Sequence, residues 1–212
     1  MNNDRKNGNE FRQLHDCRHD GAHHGPSSFY KHDSPLAFET LELHRGDTFL
    51  DLGCGAGDYS LCAAKIVGET GRVFALDVQQ KFVDTVCKNA QAQGIHNVYT
   101  VVSDLRQRID LPNNLIDVCL LATVLHTVRF PQGKENLYSE IRRVIKPNGK
   151  LAIIECKKEM RRHGPPLKVR VSPEEIENDL KPYGFFKTAY ADLGPNYLVL
   201  FYLANPYSVE QI

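Results

Sequence analysis

The segment Phe49-Leu50-Asp51-Leu52-Gly53-Cys54-Gly55-Ala56-Gly57-Asp58-Tyr59 constrains the fold more than any other stretch of the chain. An apolar run ends on an acid, three glycines follow at alternate positions, and a helical pattern begins. This reads as strand, tight turn and helix start. Glycine permits the sharp turn, and its missing Cβ lets a ligand lie against the main chain. A turn of this kind is the cofactor turn of an α/β fold.

The flanking pattern agrees. Strands are expected at Thr48 to Asp51, Arg72 to Leu76, Val98 to Val102, Leu115 to Ala122 and Leu151 to Ile154, with a hairpin from Phe185 to Ala191 and Tyr197 to Ala204. Helical spacing of apolar residues falls between them, around Tyr59–Val67, Phe82–Ala90, Leu137–Ile145 and after Ser172-Pro173-Glu174-Glu175. Ser34-Pro35 reads as a further helix opening, with Ser34 as cap and the helix running to about Leu43. Alternating strand and helix predicts a parallel sheet with right-handed crossovers and helices on both faces, and the terminal hairpin adds an antiparallel strand. The near-continuous apolar fourth strand suits a position covered on both sides.

Composition excludes several classes. With 26 basic and 26 acidic residues, the formal net charge is zero, so no global field draws nucleic acid or an anionic membrane. No stretch has the apolar length of a membrane span, and the polar start of the chain has no secretory pattern, so a cytoplasmic location is expected. The six cysteines are expected to be reduced, mostly buried thiols. Residues 1–33 are polar and hold five of the nine histidines, which predicts a flexible arm or lid ahead of a domain spanning 34–212. His15, Cys17, His19, His23 and His24 have side chains suited to metals, but their spacing fits no standard zinc pattern and no metal site is assigned.

Acids close the strands: Asp51, Asp77, Asp104 and Glu155. Open α/β sheets bind ligands at the carboxyl ends of strands, and an acid ending the second strand can take both hydroxyls of a ribose. The dinucleotide fingerprint wants its third glycine where this chain has Asp58, whose charge would repel a pyrophosphate. No Lys-Ser/Thr follows the glycines to make a P-loop. A nucleoside with no phosphates and some positive charge fits best, and S-adenosyl-L-methionine has those properties.

The motif Asp51-Leu52-Gly53-Cys54-Gly55-Ala56-Gly57 resembles the first motif of the class I S-adenosylmethionine-dependent methyltransferases. Asp77, Ser103-Asp104-Leu105, Leu121-Ala122-Thr123 and Lys146-Pro147-Asn148-Gly149-Lys150-Leu151 are similar to its later motifs in order and spacing. Within the class, the spacing resembles the small ubiquinone/menaquinone-biosynthesis-like (type 11) group. The resemblance implies a Rossmann-like seven-stranded mixed sheet of order 3-2-1-4-5-7-6 with the last strand antiparallel. It implies that Gly53, Cys54, Gly55 and Gly57 pass under the methionine part, that Asp51 approaches its amino group, and that Asp77 holds the ribose. Val78 would pack on adenine, Asp104 would accept from its amino group beside Leu105, and Leu121 and Ala122 would line the methyl side. His126 is the candidate base, and Glu155 and Tyr30 are candidate acceptor contacts. The expected partner is a small molecule, with neither nucleic acid nor membrane. An NAD(P)-binding oxidoreductase and a non-catalytic donor- or metal-binding protein are the alternatives.

Overall fold

The computed structural model describes residues 27–127, 134–161 and 164–204. The metal-suited histidines and Cys17 of the arm lie outside these residues. Seven strands form one sheet: β1 (Thr48–Leu52), β2 (Arg72–Asp77), β3 (Val98–Val102), β4 (Ile116–Ala122), β5 (Ile145–Cys156), β6 (Phe185–Asp192) and β7 (Asn196–Leu203). Their order is β3-β2-β1-β4-β5-β7-β6, as the sequence led us to expect. The pairs among β1–β5 are parallel; β7 runs antiparallel to both β5 and β6.

Among the described residues, five α-helices accompany the sheet: α1 (Ser34–Leu41), α2 (Asp58–Val67), α3 (Gln80–Ala92), α4 (Glu135–Val144) and α5 (Pro173–Leu180). The start of α1 corrects the reading of Ser34 as its cap. Asp33 is the cap, its carboxylate accepting from Leu36 N, and Ser34 is the first helical residue. A carboxylate reaches the helix amides and is also favoured by the helix dipole. The start of α5 is as expected, with Ser172 and Glu175 forming a reciprocal capping box. Strand β5 begins at Ile145, earlier than the Lys146-Pro147-Asn148-Gly149 turn suggests. The irregularity is taken up in its pairing with β4, whose register shifts between Ile116 and Val118.

Strand parity divides the core in two. On one face Leu50, Leu52, Cys119, Leu121, Leu151 and Ile153 pack with residues of α4 and α5, among them Tyr138, Ile141 and Ile176. On the other, Phe49, Val118, Leu120, Ala122, Ala152 and Ile154 pack with α1 and α2 through residues such as Phe38 and Cys62. The alternation is the period of two of a strand buried on both sides. Among the described cysteines, Cys54, Cys62 and Cys119 are buried, Cys156 is half-buried and Cys87 is exposed; Cys54, Cys87, Cys119 and Cys156 are free thiols. Among the described residues, no helix is long and apolar enough to cross a membrane.

Candidate active site

The glycine turn is built by backbone demands. Gly53 and Cys54 donate their amides to Leu76 O at 2.7 and 2.9 Å, folding the turn back against β2. Gly57 caps α2 in the left-handed region at φ 88°. At the end of β4, Thr123 also adopts positive φ, 59°, which is unusual for a β-branched residue and marks a strained, over-determined position. Its amide donates to Ile154 O at 2.7 Å, and the chain then closes a turn in which Thr127 N donates to Val124 O.

These loops enclose a cavity of about 670 Å³ at the carboxyl ends of β1, β2 and β4. Asp77, Val78, Asp104 and Leu105 line one part of it; Gly53, Cys54 and Gly55 form its floor; Ser28, Tyr59, Ala122, Thr123 and Thr127 line another. Asp77, only 8% exposed, accepts from Gly55 N at 3.1 Å and from Gln79 N at 2.9 Å. Its carboxylate therefore organises the turn and still has lone pairs facing the cavity. Asp104 is gripped bidentately by Arg106, with the closest contact at 2.6 Å, and this hydrogen bonding holds its carboxyl below the usual carboxylate range.

The described part of the arm forms a wall of the cavity. Phe29 packs edge-on against Tyr59, ring centroids 5.1 Å apart, and Ser27 and Ser28 reach the cavity. The Tyr59 hydroxyl meets His32 Nε2 at 2.7 Å and lies 3.4 Å from Ser28 Oγ. Burial holds His32 down at about 4, so its ring is neutral at pH 7. The Tyr30 hydroxyl donates to Asp58 at 3.1 Å, at the start of α2.

Residues 43–192 match the family described as methyltransferase domain. The chain belongs to that family. It is 31% identical over 118 residues to a demethylmenaquinone methyltransferase of Lactobacillus johnsonii, covering 56% of this chain and 47% of that one. It is 37% identical over 124 residues to a 2-phytyl-1,4-naphtoquinone methyltransferase of Trichormus variabilis, covering 57% and 51%. The chain thus spans about half the length of the curated relatives it matches. A crystal structure of a SAM-dependent methyltransferase from Aquifex aeolicus superposes with a TM-score of 0.77 at 31% identity, covering 85% of this chain and 94% of that one. The [4+2]-cyclase SpnF superposes at 0.68 with 20% identity over 81% of this chain and 79% of that one, a likeness of fold alone.

Within this methyltransferase domain, Gly53, Cys54, Gly55, Asp77, Val78, Asp104, Leu105 and Ala122 come together around the cavity. Gly57, Leu121, Tyr30, His126 and Glu155 lie outside its lining, and so does Asp51. Strand parity explains the two acids. Asp51 points with Phe49 toward α2, where it accepts from Ser60 Oγ at 2.6 Å. Glu155 points with Leu151 and Ile153 to the opposite face, is fully buried, and accepts from Leu125 N at 2.8 Å while meeting His126 Nδ1 at 2.6 Å. Lining residues that the sequence reading missed include Arg106, Tyr59, Thr123, Thr127 and the two serines. Arg106 had a local signal, since an acid two residues before it can form an Asx turn, and Arg106 N does donate to Asp104 at 2.9 Å.

Asp51 offers a pH test. Burial pushes its carboxyl up to about 7, opposed by the Ser60 hydrogen bond and reinforced by the charges of Asp77 and Asp58. Its folded value is raised above the ordinary 3.8, so its stabilising contribution is full below 3.8 and is lost as pH rises through about 7. Asp51→Asn keeps an acceptor for Ser60 and removes the ionisation. Urea unfolding should therefore find this variant more stable than the native chain at pH 8, with the advantage shrinking toward pH 5. A variant less stable at pH 8 would show that the buried carboxylate is compensated.

Proposed function

We infer that this chain transfers a methyl group from S-adenosyl-L-methionine to a small-molecule acceptor by in-line displacement. The observation that carries the reading is the charge pattern of the cavity. Two carboxylates, Asp77 and Asp104, stand at one end of a glycine floor, and among the described residues the one cationic side chain in the lining, Arg106, is bound to Asp104. A dinucleotide or nucleoside triphosphate needs cations or free helix amides for its phosphates. A nucleoside bearing a sulfonium and an ammonium needs acids.

In this reading Asp77 takes the ribose hydroxyls, Val78, 58% exposed, provides a face for adenine, and Leu105 packs beside the ring. Asp104 offers its remaining lone pairs to the adenine amino group, or exchanges Arg106 for it. The methionine part lies over Gly53, Cys54 and Gly55, with the methyl toward Ala122 and Thr123. Gly57 and Leu121 support the turn and the strand from behind, and Asp51 acts on the ammonium through the turn rather than by lining the cavity. Residues 27–33 serve as the fixed base of a lid, with Tyr30 joined to α2 through Asp58. Displacement at a sulfonium disperses charge, so alignment of nucleophile, methyl and sulfur does most of the work. The relatives that carry names of quinone methyltransferases support a small organic acceptor over nucleic acid.

Calorimetric titration with S-adenosylhomocysteine and with NADH tests the reading. Saturable binding of S-adenosylhomocysteine and none of NADH is expected. Binding of NADH alone would overturn it in favour of a redox enzyme.

A further inference from the structure

Resting on that reading, we propose that His126 and Glu155 form a proton-accepting pair, and that the acceptor is a hydroxyl or carbon acid that loses a proton when it is methylated. The pair stands where β4 and β5 end side by side. Glu155 is fully buried and both its oxygens are spoken for, one by Leu125 N at 2.8 Å and one by His126 Nδ1 at 2.6 Å. An ionised carboxylate accepts and does not donate, so Nδ1 carries the ring hydrogen and Nε2 keeps its lone pair. Nε2 has no hydrogen-bond partner among the described residues, and the side chain is partly exposed. The ring is therefore oriented through Nδ1 by Glu155.

Its position is set by the strained turn at the end of β4. Val124 and Thr127 both line the cavity, and Thr127 is tied back to Val124 O by its amide and its hydroxyl. His126 sits between them, its side chain 12% exposed. Tyr138 of α4 and Tyr197 of β7 share the face of Glu155, and burial pushes both phenols up, so neither competes for a proton.

The step balances with what is present. The acceptor's X–H bond gives its proton to His126 Nε2 as the new X–CH3 bond forms. The S–CH3 bond breaks, and sulfur keeps its electron pair, becoming the neutral thioether of S-adenosylhomocysteine. The imidazolium so formed lies against the Glu155 carboxylate and then releases its proton to solvent. Tertiary amines and thioethers, which have no proton to lose, would gain nothing from this pair.

Glu155→Gln separates this role from a structural one. The glutamine has nearly the same shape, and its oxygen can still accept from Leu125 N. Its NH2 then faces Nδ1 and donates, which reverses the hydrogen bond and moves the ring hydrogen to Nε2. A structural contact survives that reversal, but a base does not.

The experiment uses the full chain, S-adenosylmethionine and 1,4-naphthohydroquinone, a probe with both hydroxyls and nucleophilic ring carbons. Transfer should fall at least about 100-fold in His126→Ala and in Glu155→Gln, the range typical of losing a general base. Glu155→Asp should restore part of it. S-adenosylhomocysteine affinity and thermal unfolding of Glu155→Gln should stay near native. Nitrogen NMR of the native imidazole should show hydrogen on Nδ1, moving to Nε2 in Glu155→Gln. Transfer that does not depend on His126, no transfer to this probe by the native chain, or hydrogen on Nε2 in the native ring would each overturn the proposal. Failure of the native chain to bind S-adenosylhomocysteine is a different result: it removes the methyltransferase reading and this proposal with it.

Discussion

Asp77→Ala is expected to weaken S-adenosylhomocysteine binding by more than 100-fold while the sheet remains intact. Two ribose hydroxyls donating to a carboxylate each contribute about 1.5–3 kcal/mol. Their joint loss of about 3 kcal/mol or more corresponds to that factor. The structure adds a second contribution, since Asp77 also accepts from Gly55 N and Gln79 N. Alanine leaves both amides without their acceptor and loosens the floor on which the methionine part would rest. Asp77→Asn separates the effects: it keeps one acceptor oxygen, so it should lose less affinity than alanine and little thermal stability. Calorimetry of the three proteins decides it. Native affinity in the alanine variant would place the ribose elsewhere.

The strand directions were legible from two strong signals, whereas the order came from the family resemblance. Alternating strand and helix patterns fix β1–β5 as parallel, and the short Leu193-Gly194-Pro195-Asn196 connection makes β6 and β7 an antiparallel pair. The site was legible as a set of strand-ending acids, but not in its directions. Asp51 and Glu155 look equivalent in the chain, each closing an apolar strand. Parity separates them: Asp51 shares the face of Phe49 and goes to Ser60, whereas Glu155 shares the face of Leu151 and Ile153 and goes to His126. The period of two was available to assign these faces. What the chain could not reveal is contact across loops. The pairing of Tyr59 with His32 spans 27 residues and that of Glu155 with His126 spans 29, and no local pattern encodes either.

Cap chemistry shows a similar boundary. Ser172-Pro173-Glu174-Glu175 and Asp33-Ser34-Pro35 both present a small polar residue before proline. The first folds as its pattern indicates. In the second, a better acceptor stands one residue earlier, and Asp33 takes the amide of Leu36 instead. Propensity names the candidates, and competition between neighbours selects among them.

Two glycines of the turn, Gly57 and Gly55, equivalent as a motif, are expected to fail in different ways when replaced. Gly57→Ala should cost about 2–5 kcal/mol of stability. A residue with a Cβ in the left-handed region costs about 1–2 kcal/mol, and φ at Gly57 is 88°. The added Cβ would also stand 2.6 Å from Val86 Cγ2, a buried side chain of α3, and overpacking of that kind costs about 1–3 kcal/mol. Gly57 lies outside the cavity lining, so the damage should appear in urea unfolding first and in ligand binding only as the fold loosens. Gly55→Ala is the counterpart. Nothing stands within 4 Å of its added Cβ, yet Gly55 forms part of the cavity floor. It should lose S-adenosylhomocysteine affinity with a smaller change in stability. Adding Val86→Ala to Gly57→Ala should recover the steric part and leave the backbone part, a coupling of about 1–3 kcal/mol in a double-mutant cycle. Strict additivity in that cycle would mean that Gly57 is required for its backbone angle alone, and that α2 and α3 could sit farther apart without loss.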